Sequence, residues 1–198
     1  MAKRGASAAK AFDMPRSRTA LLIIDMISDF EFPDGEAVLR TARRIVPNIV
    51  ALRSRVSGAR APVIYVNDNL GRWRSDMASL VAHCTREAAK GCDVVRQIAP
   101  GENDFVLLKP KHSGFYATPL AELLAAAGAR RLILTGLSTH QCVLFTANDA
   151  YLREFELVVP SDCVGAPAAG ESRFALRYFE SVLSADVRPS TRLRLTAA

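Results

Sequence analysis

Short apolar runs rich in β-branched residues recur at Thr19–Asp25, Pro62–Asn67, Asp104–Lys109, Arg131–Gly136 and Glu156–Pro160, with helical patterns in the gaps between them. This alternation constrains the fold more than any other feature. Runs so uniformly apolar are buried on both faces, and intervening helices cover both faces when the strands are parallel and joined by right-handed crossovers. The pattern therefore predicts a three-layer α/β/α Rossmann-like domain with a mainly parallel six-stranded sheet. Ala185–Arg188 is the weaker candidate for the sixth strand. Helices are predicted over Glu36–Arg55, Pro119–Ala127, Gln141–Arg153 and Glu171–Leu183, with Pro47 a point where the first one can kink.

At 198 residues, 49% of them hydrophobic and 23% charged, the chain suits one sizeable core. A single domain is expected over residues 19–198, behind a basic, flexible tail of residues 1–18. The net charge of +6 invites a nucleic-acid reading, so its location matters. Residues 1–18 carry five Lys/Arg against Asp13, and residues 187–198 carry three Arg and no acid, which leaves 18 basic and 19 acidic residues between them. A near-neutral body is not a clustered basic face, and no nucleic-acid partner is expected. No apolar run approaches the roughly 18 residues of a membrane span, and the first ten residues lack the apolar stretch of a secretory signal. The expectation is a cytoplasmic protein with no membrane partner. Cys84, Cys92, Cys142 and Cys163 form no Cys-x-x-Cys pair and read as reduced thiols. His83, His112 and His140 are scattered; His83 and Cys84 with Cys92 have no matching second pair, so no metal site is expected.

In sheets of this kind ligands bind outside the carboxyl ends of the strands, where the strand order reverses. The first strand ends at Asp25, the third at Lys109, and the fourth at Gly136 just before Cys142. An acid, a base and a thiol, distant in sequence, thus converge on one edge. Gly136 permits a sharp exit, and Ser138 and Thr139 suit the opening of a helix, which places Cys142 in its first turn. Free N–H groups and the macrodipole there favour a thiolate and predict a lowered thiol pKa. Each residue also has a plainer reading: Cys142 as a small core residue, Asp25 as a turn cap, Lys109 as a solvated strand end before Pro110.

The segments Leu21–Phe30, Lys109–Phe115, Gly136–Val143 and Thr146–Ala150, in this order, resemble the isochorismatase-like cysteine hydrolases, which include nicotinamidases, N-carbamoyl amidohydrolases and isochorismatases. The resemblance covers nearly all of residues 19–186. It implies a catalytic triad in which Asp25 takes the thiol proton, Lys109 holds thiolate and carboxylate in place, and Cys142 attacks a carbonyl carbon. It also implies an oxyanion hole from the backbone N–H groups of Ser138 and Cys142, which the family often builds with a cis peptide before the position of Ser138. The implied activity is hydrolysis of a C–N bond in a small amide or ureido substrate through a thioester, with no cofactor, in a homodimer or homotetramer. Two alternatives stand beside it: a vinyl-ether hydrolase in which Asp25 protonates the substrate, and a non-catalytic, partner-binding member.

The chain also departs from the family pattern. Ile27 and Ser28 stand where Gln-Asn is frequent, and residues 66–76 contain no histidine for the Asp-x-His metal site of nicotinamidases. A metal-dependent nicotinamidase is therefore not expected. Phe30, Asn69, Trp73, Phe115 and His140 fall in loops or helix starts near the strand ends and are candidates to line the pocket. Arg72, Trp73 and Arg74 form a candidate lid or carboxylate-binding loop. Apolar positions on Gln141–Arg153 or Glu171–Leu183 are candidates for a subunit interface.

Overall fold

The computed structural model describes residues 14–69, 71, 74 and 76–195. Residues 1–13 of the expected tail, and Arg72 and Trp73 of the expected lid loop, lie outside the described residues. The strands are β1 (Thr19–Ile24), β2 (Val63–Asp68), β3 (Phe105–Lys109), β4 (Arg131–Leu137), β5 (Glu156–Val158) and β6 (Val164–Gly165). All of their pairings are parallel, in the order β3-β2-β1-β4-β5, with β6 pairing β4 beyond the end of β5. The helices are α1 (Gly35–Gly58), α2 (Met77–Cys84), α3 (Cys92–Ile98), α4 (Leu120–Ala127), α5 (Leu144–Leu152) and α6 (Ala169–Ser181).

Alternate strand residues divide into two cores, as a parallel sheet covered on both faces requires. Leu21, Ile23, Val63, Tyr65 and Ile133 face α1, α2 and α3, while Leu22, Ile24, Ile64, Val66, Leu132 and Leu134 face α4, α5 and α6. Pro47 does not break α1. It lies on the exposed side of the helix, away from the core. No helix among the described residues is long and apolar enough to cross a membrane. Exposed apolar side chains sit on both helices expected to offer an interface: Phe145, Tyr151 and Leu152 on α5, Phe174 on α6 and Val182 just beyond it.

The expected sixth strand is corrected. Asp186 makes a single parallel bridge to Val158, after which its carboxylate accepts the Arg188 N–H and pairs with the Arg188 guanidinium, turning the chain away. The sixth strand is Val164–Gly165, which pairs with β4 rather than β5. The helices α2 and α3 were not anticipated. Asp76 caps α2 by accepting the Ser79 N–H at 2.7 Å.

The order reverses between β1 and β4, since the chain proceeds outward from β1 to β2 and β3 and then returns through α4 to β4. Their carboxyl ends are held close at Gly136, whose φ is +106° and whose absent side chain leaves room for the Ile24 carbonyl oxygen. Gly136→Ala should destabilise the fold by about 2–4 kcal/mol, from backbone strain plus that collision. Denaturant unfolding monitored by circular dichroism checks this; a loss below about 1 kcal/mol would contradict the close approach.

Candidate active site

The crevice at the β1/β4 reversal holds Asp25, Lys109 and Cys142 together. Asp25 follows β1 with φ +51°, a left-handed conformation that Asp tolerates better than most residues. Its Oδ1 accepts the Asp68 N–H at 2.6 Å, so the end of β2 anchors the carboxylate. Lys109, the last residue of β3, is fully buried and reaches past the end of β2. Its Nζ lies 2.9 Å from Asp25 Oδ2, 3.8 Å from Asp68 Oδ2 and 3.4 Å from Cys142 Sγ.

The thiol stands on a π-helical turn, Thr139–Val143, that precedes α5. The Ser138 carbonyl accepts from both Gln141 N–H and Val143 N–H, at 2.9 and 3.3 Å. Extra-residue turns of this kind are frequent at functional sites. Thr146 Oγ donates to the Cys142 carbonyl at 2.7 Å and accepts the Gly114 N–H at 2.9 Å, which joins the turn to the loop after β3. The peptide Leu137–Ser138 is cis. The Ser138 N–H has no partner among the described residues.

A cavity of about 230 Å³ opens onto these groups. Ile27, Phe30, Phe32, Val38 and Leu137 supply its apolar wall; Ser28, Asn67, Asp68, His112 and Gln141 supply polar groups. Ile27 takes a part that its side chain does not announce: its N–H and C=O are both held by the Asn67 side chain, at 3.0 and 2.9 Å. The Phe30 ring is seated where Gly91 has no side chain; a Cβ there would collide with the ring.

Of the sequence-predicted residues, Asp25, Cys142, Ser138 and Phe30 line the cavity, and Lys109 lies beneath it. Three others do not line it. Asn69 Oδ1 accepts the Gly71 N–H, and its own N–H donates to the Lys109 carbonyl, so it closes the β2–β3 edge. Phe115 packs in the opposite core against Phe155, under the Arg153 guanidinium. His140 faces α6, with Nδ1 3.9 Å from Glu171 Oε2. Residues two apart on a helical turn point to nearly opposite sides, so a turn that aims Cys142 inward aims His140 away. Trp73 lies outside the described residues. Asn67, Asp68 and His112 were missed, although Asn67 and Asp68 carry the signal that marked Asp25: polar side chains at the end of an apolar strand. Among the described residues no three His, Cys, Asp or Glu side chains are grouped to hold a metal ion, and His83 pairs with Asp29 instead.

The expected low thiol pKa is also corrected. Burial, with the Asp25 carboxylate adding to it, pushes the Cys142 thiol up to about 12 against the opposing pull of Lys109. Burial likewise raises Asp25, although Lys109 and the hydrogen bonds it accepts pull the other way. For Lys109 burial alone would lower the pKa, but Asp25, Cys142 and Asp68 outweigh it and hold the ammonium above its ordinary value. At neutral pH Cys142 therefore rests as a thiol beside the Asp25–Lys109 pair.

A sequence profile of the Isochorismatase domain matches residues 19–187. The chain belongs to the isochorismatase family of hydrolases. It is 42% identical over 174 residues to the uncharacterized isochorismatase family protein YaaI of Bacillus subtilis, covering 88% of this chain and 95% of that one. The ureidoacrylate amidohydrolase RutB of Methylorubrum extorquens is 43% identical over 91 residues, spanning 44% of this chain and 36% of that protein. In structure, this isochorismatase-family chain is similar to N-carbamoylsarcosine amidase from Thermoplasma acidophilum, with a TM-score of 0.68 and 27% identity over 90% of this chain and all of that one.

Removing the Asp25 charge while keeping Lys109 takes away an influence that opposes the thiolate. Asp25→Asn should therefore lower the Cys142 pKa and speed its labelling by iodoacetamide at about pH 8–9, by about tenfold per pKa unit. In the unaltered protein the labelling rate should still be rising beyond pH ~10, as expected of a thiol of raised pKa. Peptide mass spectrometry across a pH series reads both, and slower labelling in the variant would contradict the charge balance described.

Proposed function

We propose that the protein is a cysteine hydrolase that cleaves the C–N bond of a small amide or ureido substrate through a thioester on Cys142. The observation that carries this reading is the contact of one buried ammonium, Lys109 Nζ, with both the Asp25 carboxylate and the Cys142 sulfur beside the cavity. Moving the thiol proton to Asp25 turns a carboxylate, an ammonium and a thiol into an acid, an ammonium and a thiolate. Net charge is zero before and after, so the transfer needs no new counter-ion around the buried ammonium. The raised pKa of Asp25 makes it a better proton acceptor than an ordinary carboxylate.

The sulfur would then attack the carbonyl carbon, and the oxyanion would take the unpartnered Ser138 N–H with that of Cys142 as its donors. As the tetrahedral intermediate collapses, the C–N bond breaks and Asp25 returns its proton to the departing nitrogen. Water then hydrolyses the thioester. The 230 Å³ cavity lies below the roughly 300 Å³ at which drug-sized pockets begin, which supports a substrate of few atoms with an apolar part against Phe30, Phe32 and Val38. Amidase names among the relatives favour C–N cleavage over a vinyl ether.

A panel of small amides and ureido compounds should release ammonia with the unaltered protein. Cys142→Ala, Asp25→Asn and Lys109→Met should each lower kcat/KM by about 10³-fold or more while circular dichroism reports a folded chain. Pyruvate release from a vinyl ether without ammonia release from the panel would instead assign Asp25 as a general acid.

A further inference from the structure

Lys109 and Asp25, the charged groups given roles so far, are bound to each other. Lys109 is fully buried, and both Asp25 oxygens are engaged, Oδ1 by the Asp68 N–H and Oδ2 by Lys109. A further titratable side chain stands at the cavity mouth. His112, in the loop after β3, is exposed at the cavity mouth, and its Nδ1 lies 3.6 Å from Cys142 Sγ. Its ring rests on Phe145, with centroids 5.2 Å apart. The loop that carries it is tied to the helix beyond the thiol twice, by Ser113 Oγ on the Asp149 carboxylate and by Gly114 N–H on Thr146 Oγ. The imidazole is thus held against the sulfur from the solvent side.

We propose that His112 is the catalytic base of the second half-reaction, accepting a proton from the water that hydrolyses the thioester. The inference rests on the reading of Cys142 as acyl acceptor. Once the nitrogen has departed with the proton carried by Asp25, that carboxylate returns to its contacts with Lys109 and the Asp68 N–H. Water enters from the mouth, where the His112 ring offers a nitrogen that can accept a proton and later return it. The acyl carbon is one bond from Sγ, so a group that touches Sγ from outside is within reach of a water attacking that carbon. As the water oxygen bonds to the carbonyl carbon, one of its protons passes to Nδ1 and the C=O π pair moves onto oxygen. When that pair returns, the C–Sγ bond breaks and sulfur leaves with its electrons. The proton on Nδ1 then passes to Sγ, restoring thiol and neutral imidazole, and the product departs as the carboxylic acid.

p-Nitrophenyl acetate separates the two halves without the natural substrate: nitrophenolate absorbance follows acetylation, and intact-protein mass follows loss of the acetyl group from Cys142. His112→Phe keeps a ring against Phe145 and removes the base. It should slow deacetylation by about 10²-fold, far more than it slows acetylation, so that acetyl-enzyme accumulates. His112→Ala should show the same block, relieved by imidazole in solution in proportion to its concentration, whereas His112→Phe, with the space filled, should not respond. Deacetylation at the unaltered rate in both variants, or an equal slowing of both halves without imidazole rescue, would overturn the proposal while leaving the thioester reading intact. Failure of the unaltered protein to acetylate at Cys142 would overturn both.

Discussion

A primary ammonium with no access to water organises this end of the molecule. Lys109 gives up its hydration at the end of β3, and leaving such a charge unmatched costs about 3–5 kcal/mol. The surrounding arrangement reads as the set of conditions that avoid that cost. Asp25 leaves β1 in a left-handed conformation that turns its carboxylate to the ammonium, the Asp68 N–H fixes the other carboxylate oxygen, and the π-turn brings the sulfur to the remaining side. Structural necessity and chemical competence coincide, because the pair that neutralises the buried charge is also the pair that can exchange a proton with the thiol.

Much of the fold was legible because burial on both faces leaves an unambiguous trace. The runs that mark β1 to β4 end within a residue or two of the observed strands, since a strand buried on both sides has little room for polar side chains. What escaped was short or locally determined. The helices α2 and α3 span 8 and 7 residues, too few turns for a periodicity to stand out. The strand β6 is two residues long and owes its place to pairing with Gly136 and Leu137, which no pattern within Val164–Gly165 reveals.

The site divides in the same way. Asp25, Lys109 and Cys142 were legible because sheet topology alone carries strand ends to a common edge. Phe115 and His140 were misjudged because side-chain direction in a loop or turn depends on its hand and register, and the π-turn sets a register that an ordinary helix start would not. The thiol pKa failed for a reason of magnitude. A helix terminus contributes about 0.3–1 kcal/mol, less than one pKa unit, whereas burial moves a group by up to several units. Beside Asp25, burial prevails.

The seat of Phe30 against Gly91 bears on how such a pocket diversifies. The ring that walls the cavity is backed by bare backbone just before α3, so the available space is set from behind, by an atom that is absent. A side chain gained at that distant position would press the ring inward and narrow the chamber with every ligand-facing residue unchanged. Substrate size can therefore drift through positions that never meet a substrate, while the charge-balanced group below remains as it is.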